Sequence, residues 1–514
     1  MNIKNKAKVF AFCSLITVVS HADDSSTSPH IDNRNDIENP EMETDTGKPS
    51  AVAKLQSLKN LSHKQNIQAP FVQELDNQYK VRSLFVETQD LPIIDIQLTF
   101  NAGSARDQSI SRDLAGLANM TARLLPEGTE KYTATQIATT FQRLGARFSV
   151  NAYRDMFVIK LRVLSDPEKL EPALNLLLEI INHATFNSAG LNMIWNNTKV
   201  GQKQILENPT SMMNIAFYRA LYGEHPYAEP ITGTQASIRK ITTDDLKNFK
   251  NTFLVAQNMN IAITGKLNSK QATDISNKIA GSLPQGNKAL SLPIVQEKTD
   301  FDIHFIPYQS TQAAVMMGQL AISKDDPDKV ALDIANQMFG GANFNSMLMQ
   351  ELRVKRGYTY GAYSSLTTLQ SPGIFSFNYS TEQNQLLESI PVAYRALMNF
   401  VKQPINRKQL EETKAGMLRA FPMNYSSNSS INSQISSIGF YGLPANYLTQ
   451  YQQQLQSTTA KQVQDAIKRH LHADRLTLVI VSKELDPAAL KQQLLDEYNN
   501  TNHSSVKPTS AGNH

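Results

Sequence analysis

The chain is poor in the features that would betray several common chemistries. One cysteine, Cys13, stands among 514 residues, so no disulfide can close within the chain. Net charge is small: 50 Lys and Arg against 46 Asp and Glu leave +4, which gives no basis for a nucleic-acid or acidic-membrane partner. Long apolar runs are missing. The longest candidate, residues 9–19, is too short to span a bilayer as a stable anchor. Neither His-x-x-Glu-His nor His-Glu-x-x-His occurs, so no helix presents paired zinc imidazoles. No Gly-x-Ser-x-Gly elbow occurs either, and Ser426, Ser427, Ser429 and Ser430 read as polar loop or helix-face residues.

What is present begins with an address. Lys4, Lys6 and Lys8 precede the apolar stretch, and Ser20 and Ala22 supply the small residues that a signal peptidase reads. Cleavage after Ala22 is expected, and bulky Phe12 argues against lipidation at Cys13. Removal of residues 1–22 would take away the only cysteine and lower the net charge to about +1. A thiol-free exported chain suits an oxidising compartment. Residues 23–70 are acidic and too poor in apolar surface to offset chain entropy, so they read as a disordered lead-in, with a weak helix at 53–63.

From residue 71 the pattern is that of folded α+β structure. Strands are expected at 93–100 (IIDIQLTF), 148–163 and 259–264, with helices at 113–125, 133–144, 167–182, 187–207 and 241–252. The order then repeats: a strand at 315–320, a helix at 328–338, strands to 379, helices at 386–401, from 408, and at 458–470, and a strand at 476–481. Thr242 and Thr458, Asn119 and Asn336, and Tyr222-Gly223 and Tyr441-Gly442 recur at offsets of 216, 217 and 219, which argues for a tandem duplication. The expected organisation is a first domain over 71–283, a Pro-containing link over 284–300, a second domain over 301–498 and a flexible tail over 499–514.

The most pointed stretch is 340–363, GGANFNSMLMQELRVKRGYTYGAY. It reads as a Gly-opened helix with Phe344, Met347, Leu348 and Leu352 on one stripe, closed by Gly357 in a left-handed position. A strand would follow with Tyr358, Tyr360 and Ala362 on one face. Arg353 and Tyr360, seven residues apart, are both donors suited to a peptide carbonyl or a developing oxyanion. A surface Arg and a core Tyr would have the same spacing.

Together with GLANMTARLLPEGT (116–129), the 208–234 segment and the internal repeat, this stretch resembles the pitrilysin/insulinase family of zinc peptidases and its mitochondrial processing-peptidase relatives. The resemblance runs over about 81–485 and implies two tandem mixed α/β sandwich domains. It also implies that Arg353 and Tyr360 bind the substrate carbonyl. Active members carry His-x-x-Glu-His on the first helix. Here those positions hold Asn119, Ala122 and Arg123, so two imidazoles and the general base are missing. The distal carboxylate expected near Val200 is also missing, because 198–202 reads TKVGQ. No metal is therefore expected in this chain. His470 and His472 are a weak metal candidate without a third ligand nearby in sequence. His225 reads as a packing or capping residue, Tyr222 and Tyr227 as core, and Glu127 as a solvated turn residue.

Some peptidases of this family divide the work between a zinc-bearing chain and a partner that keeps only the Arg/Tyr pair. The resemblance implies the second type: a periplasmic Gram-negative subunit, inactive alone, paired with a zinc-bearing sister that supplies the metal. A homodimer is the other assembly it allows. An inert scaffold or peptide-binding protein of the same fold is the alternative function. An enzyme with an unrecognised site has no constellation behind it.

Overall fold

The computed structural model describes residues 69–503. The expected leader, most of the acidic lead-in, the helix at 53–63 and residues 504–514 lie outside the described residues. The last helix, Pro487–His503, runs past the point where a flexible tail was expected at 499.

Two mixed sheets form the frame. The first has six strands in the order β1-β2-β6-β3-β5-β4. These are β1 (Gln73–Glu74), β2 (Ser83–Glu87), β3 (Ile93–Phe100), β4 (Arg147–Ala152), β5 (Phe157–Leu164) and β6 (Met259–Gly265). The second has the order β7-β11-β8-β10-β9. Its strands are β7 (Asp302–Pro307), β8 (Gln312–Leu320), β9 (Ala362–Thr367), β10 (Ile374–Glu382) and β11 (Thr477–Ser482). β2 pairs parallel with β6 and β7 parallel with β11, while the remaining neighbours are antiparallel. Residues 284–300 connect the halves without a helix or strand.

Alternation explains the layers. In β8, Ala313, Val315 and Met317 face the second core, whereas Ala314 and Met316 face the opposite side. In β3, Ile94, Ile96, Leu98 and Phe100 enter the first core, while Asp95, Gln97 and Thr99 turn to the other face and are buried there too. Both faces of each sheet are therefore covered, and each half supplies the other's second cover. The helix Pro209–Tyr222, from the first half, lays Met213, Phe217, Leu221 and Tyr222 against Ala314, Met316, Val479 and Val481. The helix Asn428–Phe440, from the second half, lays Ile431, Ile435 and Ile438 against Leu84, Val86 and Ala262. The polar outer face of β3 is matched by that helix: Asn432 Nδ2 donates to the Asp95 carbonyl at 3.0 Å, and Gln97 Nε2 to Ser436 Oγ at 2.7 Å.

The sequence offsets have a structural counterpart here. Tyr222-Gly223 and Tyr441-Gly442 end the two exchanged helices, with both glycines at positive φ. One pairing shifts by a residue. Thr242 caps its helix, but in the second half the capping box belongs to Thr459, not Thr458. Among the described residues no helix is long and apolar enough to cross a membrane.

Candidate functional site

The motif helix, Leu117–Leu124, begins four residues later than the periodicity predicts. Its start is set by a buried carboxylate. Asp107 accepts the N–H groups of Gly116 (2.7 Å), Leu117 (3.1 Å) and Ala118 (2.8 Å), which have no partner within the helix. Burial pushes the Asp107 carboxyl up to about 8, against the pull of those three donors. Gly116 enters the helix at φ +97°, and a Cβ there would meet the Thr232 carbonyl at 2.9 Å.

On this helix Ala122 is buried, while Asn119 and Arg123 are partly exposed. Arg123 reaches across to the long helix Ser188–Leu206, where its Nη1 donates to Thr198 Oγ1. Thr198 stands in the segment where a distal carboxylate was sought. Gln202, one turn on, is turned away: its Nε2 donates to the carbonyls of Thr232 (3.2 Å) and Gly233 (3.0 Å). An amide, a methyl, a guanidinium and a hydroxyl thus stand where a zinc site needs two imidazoles and two carboxylates. This donor set does not fit the ion, and the fixed positive charge of Arg123 opposes it. Burial lowers the Arg123 pKa, and the field of Glu127 acts in the opposite sense. Glu127 is partly buried beside the helix end rather than fully solvated. Among the described residues no carboxylate lies within ion-pair distance of Arg123.

The 340–363 stretch departs from its sequence reading in three ways. Gly340 ends the helix Lys329–Gly340 instead of opening the next one. Residues 341–346 are turns, and the helix that follows is short, with a π-helical turn over Met349–Val354. Phe344 therefore sits in a turn, 58% exposed, while Leu348 and Leu352 are fully buried. The strand begins only at Ala362. Tyr360 does not share a face with Ala362: it is 85% exposed, whereas Ala362 is wholly buried. The cause is local. Thr359 is buried, and its hydroxyl donates to the Gly361 carbonyl (2.9 Å) while accepting the Gly361 N–H (3.1 Å). That turn throws Tyr360 outward at its apex. Gly357 takes the left-handed conformation at φ +68°, as its position implies.

Arg353 is partly exposed, and its guanidinium lies 4.8 Å from the centroid of the Phe344 ring. The nearby acid, Glu351, is taken by Lys355 (2.5 Å) and Arg356 (2.7 Å). Among the described residues no carboxylate pairs with Arg353, so its fork remains available. The Tyr360 hydroxyl likewise has no hydrogen bond to a described residue. A free guanidinium and an exposed phenol on one loop can grip a carbonyl or an oxyanion.

The other sequence candidates fall to structural roles. His225 Nδ1 accepts the Tyr227 N–H (3.1 Å), so Nε2 carries the proton to the Pro293 carbonyl (3.1 Å), and burial lowers the ring's pKa. Tyr222 and Tyr227 are buried. His470 lies with Asp326 and Asp328, but Arg469 holds Asp328 through two bonds of 2.9 and 2.7 Å, and His472 is turned to the Arg469 carbonyl. Ser427 caps the exchanged helix. Sequence reasoning missed Asp155, in the β4–β5 turn. It is 2% exposed and accepts from Tyr227 Oη, from the Gln370 N–H (2.8 Å) and from Tyr441 Oη (3.2 Å). Burial raises its pKa against those donors. Three segments, two of them from the second half, thus meet on one carboxyl group.

Comparison with known proteins bears on the family and the fold. The family model for insulinase (peptidase family M16) matches residues 85–235, and that for the peptidase M16 inactive domain matches 240–417. The structure of a peptidase M16 inactive domain from Pseudomonas fluorescens is similar at 34% identity and TM-score 0.76, covering 80% of this chain and 98% of that one. A Helicobacter pylori protein named non-peptidase homolog YmxG is 26% identical over 412 residues, which is 79% of this chain and 93% of that protein. In fold alone, the periplasmic protease PqqL of Escherichia coli is similar at TM-score 0.70 and 14% identity, and the match takes 87% of this chain but 51% of PqqL.

Proposed function

The chain belongs to peptidase family M16, the insulinase family, and from that premise we propose that it is the substrate-gripping subunit of a two-chain metallopeptidase. The metal and the hydrolytic chemistry reside in a zinc-bearing sister chain. This chain brings Arg353 and Tyr360 to the scissile carbonyl, where the guanidinium fork and the phenol donate to the oxygen as charge develops on it. The fourfold loss of the zinc constellation supports the division of labour. So does the fold match in which 87% of this chain aligns with only 51% of the periplasmic protease PqqL. The pair assembles in the periplasm, to which the expected leader would direct it.

The observation that carries this reading is the availability of Arg353: it is stacked on Phe344, with Glu351 diverted to Lys355 and Arg356. The test is to purify the chain with an exported family member that carries His-x-x-Glu-His and to assay peptide cleavage. Neither chain alone should cleave. In the complex, Tyr360→Phe should lower kcat by ~10²–10³, the usual loss for one oxyanion donor. Full activity in that variant would refute the assigned role. The name non-peptidase homolog carried by the Helicobacter relative favours a second reading, an inert scaffold, which an inactive complex with intact assembly would support.

A further inference from the structure

The acids of this chain are unevenly placed. Residues 23–45 hold eight Asp and Glu against the single Arg34, a net charge of −7. The leader holds +3 of the total of +4, so residues 46–514 carry +8. Blocks of one sign commonly act as interaction arms. The first half offers a surface of the opposite sign. On the long helix Ser188–Leu206, Trp195 lies against two cations: Lys199 Nζ is 5.4 Å from its ring centroid, and the Arg239 guanidinium is 5.7 Å from it. Both cations are exposed, while Trp195 is partly buried against the first core. Lys203 and Lys240 are taken by Glu207 (3.9 Å) and Asp113 (2.8 Å). Among the described residues no carboxylate lies within ion-pair distance of Lys199 or Arg239. The two distances to the ring sum to 11.1 Å, the most that can separate these charges. Like charges held that close repel, and an anion placed between them relieves both.

We propose that this cradle is a docking site for acidic peptide segments, and that its resident is the chain's own arm, residues 23–45, whose carboxylates pair with Lys199 and Arg239 across Trp195. The arm can reach it. The described chain begins on the outer face of the first sheet, where Ala69 packs against the cluster of Leu84 and Ile435, whereas Trp195 lies on the core side. From Asp45 to Ala69 the chain advances 24 residues, a reach of up to ~80 Å when extended. A domain of the length of 71–283 is on the order of 45 Å across, so half its girth is roughly 70 Å, within that reach. Exposed ion pairs are individually weak, but the tether holds the arm at a local concentration on the order of millimolar, which a free acidic peptide would have to match. The arm therefore covers this face by default, and a more acidic partner or higher salt releases it. The site uses neither Arg353 nor Tyr360 and needs no partner chain, so its failure and that of the two-chain reading are separable.

The only tryptophan is its own reporter. The experiment uses the chain from Asp23 onward and measures quenching of Trp195 fluorescence by iodide, an anion, relative to neutral acrylamide, at low and constant ionic strength. In a variant with each of the eight arm acids replaced by Asn or Gln, the two cations are left uncovered and draw iodide to the ring. The ratio of iodide to acrylamide quenching should rise at least about 2-fold over the native arm. With Lys199→Gln and Arg239→Gln together, neutralising the arm should no longer change the ratio. These side chains are exposed, so the fold is not at stake in the variants. An unchanged ratio on neutralising the arm would overturn the proposal. So would a rise that persists in the Lys199→Gln, Arg239→Gln background, which would mean that the acids act elsewhere, for instance on Lys48, Lys54, Lys59 and Lys64. A ratio for the native chain that varies with protein concentration would assign the arm to a second copy and overturn docking within one chain.

Discussion

Replacing Asp155 by alanine should loosen the joint between the two halves. The carboxyl group sits in the β4–β5 turn of the first half and accepts from Gln370, in the β9–β10 connection, and from Tyr441, at the end of the exchanged helix. Tyr227, from the first half, donates to its other oxygen. Hydrogen bonds to a charged group contribute ~1.5–3 kcal/mol each, and truncation leaves three donors without an acceptor. Against this stands the relief of a desolvated carboxyl group, whose burial already raises its pKa. The balance should be a destabilisation of about 2–4 kcal/mol, and about 1 kcal/mol for Asp155→Asn, which keeps one acceptor. Urea titration would measure it with two probes. Fluorescence of Trp195, the only tryptophan, reports the first half, and far-UV circular dichroism reports both. The wild-type transitions should coincide, while those of Asp155→Ala should separate as the halves uncouple. An unchanged midpoint with coincident transitions would refute the argument.

Two further outcomes follow from burial. Asp107 is held up to about 8 in the folded chain against an ordinary 3.8, so between those values the folded state keeps a proton that the unfolded state has released. Stability from this group is therefore complete below pH 3.8 and falls as pH rises towards 8, by at most about 1.4 kcal/mol per unit; Asp107→Asn should flatten that slope in melts taken from pH 4 to 8. Ile435 is fully buried where the exchanged helix meets the first sheet, so Ile435→Ala should cost about 2–5 kcal/mol in denaturant titration, and a loss under 1 kcal/mol would mean that the helix is not held there.

Periodicity and capping were enough to place most elements. Residues 93–100 form β3 to the residue, and the Thr133–Gln136 capping box opens the helix Ala134–Arg143 where the spacing placed it. Both signals are local: alternation and cap chemistry act within a few residues. The loop of the Arg/Tyr pair was read less well for the same reason. Seven-residue spacing cannot tell that Thr359 turns inward and forces Tyr360 out, or that Phe344 leaves the helix to stack on Arg353.

The chain by itself determined which chemistry is gone. Asn119, Ala122 and Arg123 cannot act as imidazole or carboxylate in any fold, and the repeated order of elements already implied two like halves. Only the tertiary structure decided how those halves join. The helices Pro209–Tyr222 and Asn428–Phe440 each cover the other half's sheet, and no pattern along a helix names the surface that will bury it. The second is rich in serine and asparagine and resembles a loop until Asn432 and Ser436 meet the polar outer face of β3. The state of the two arginines was settled in the same way. A guanidinium is charged wherever it lies, but whether a carboxylate reaches it depends on contacts between residues far apart in the chain.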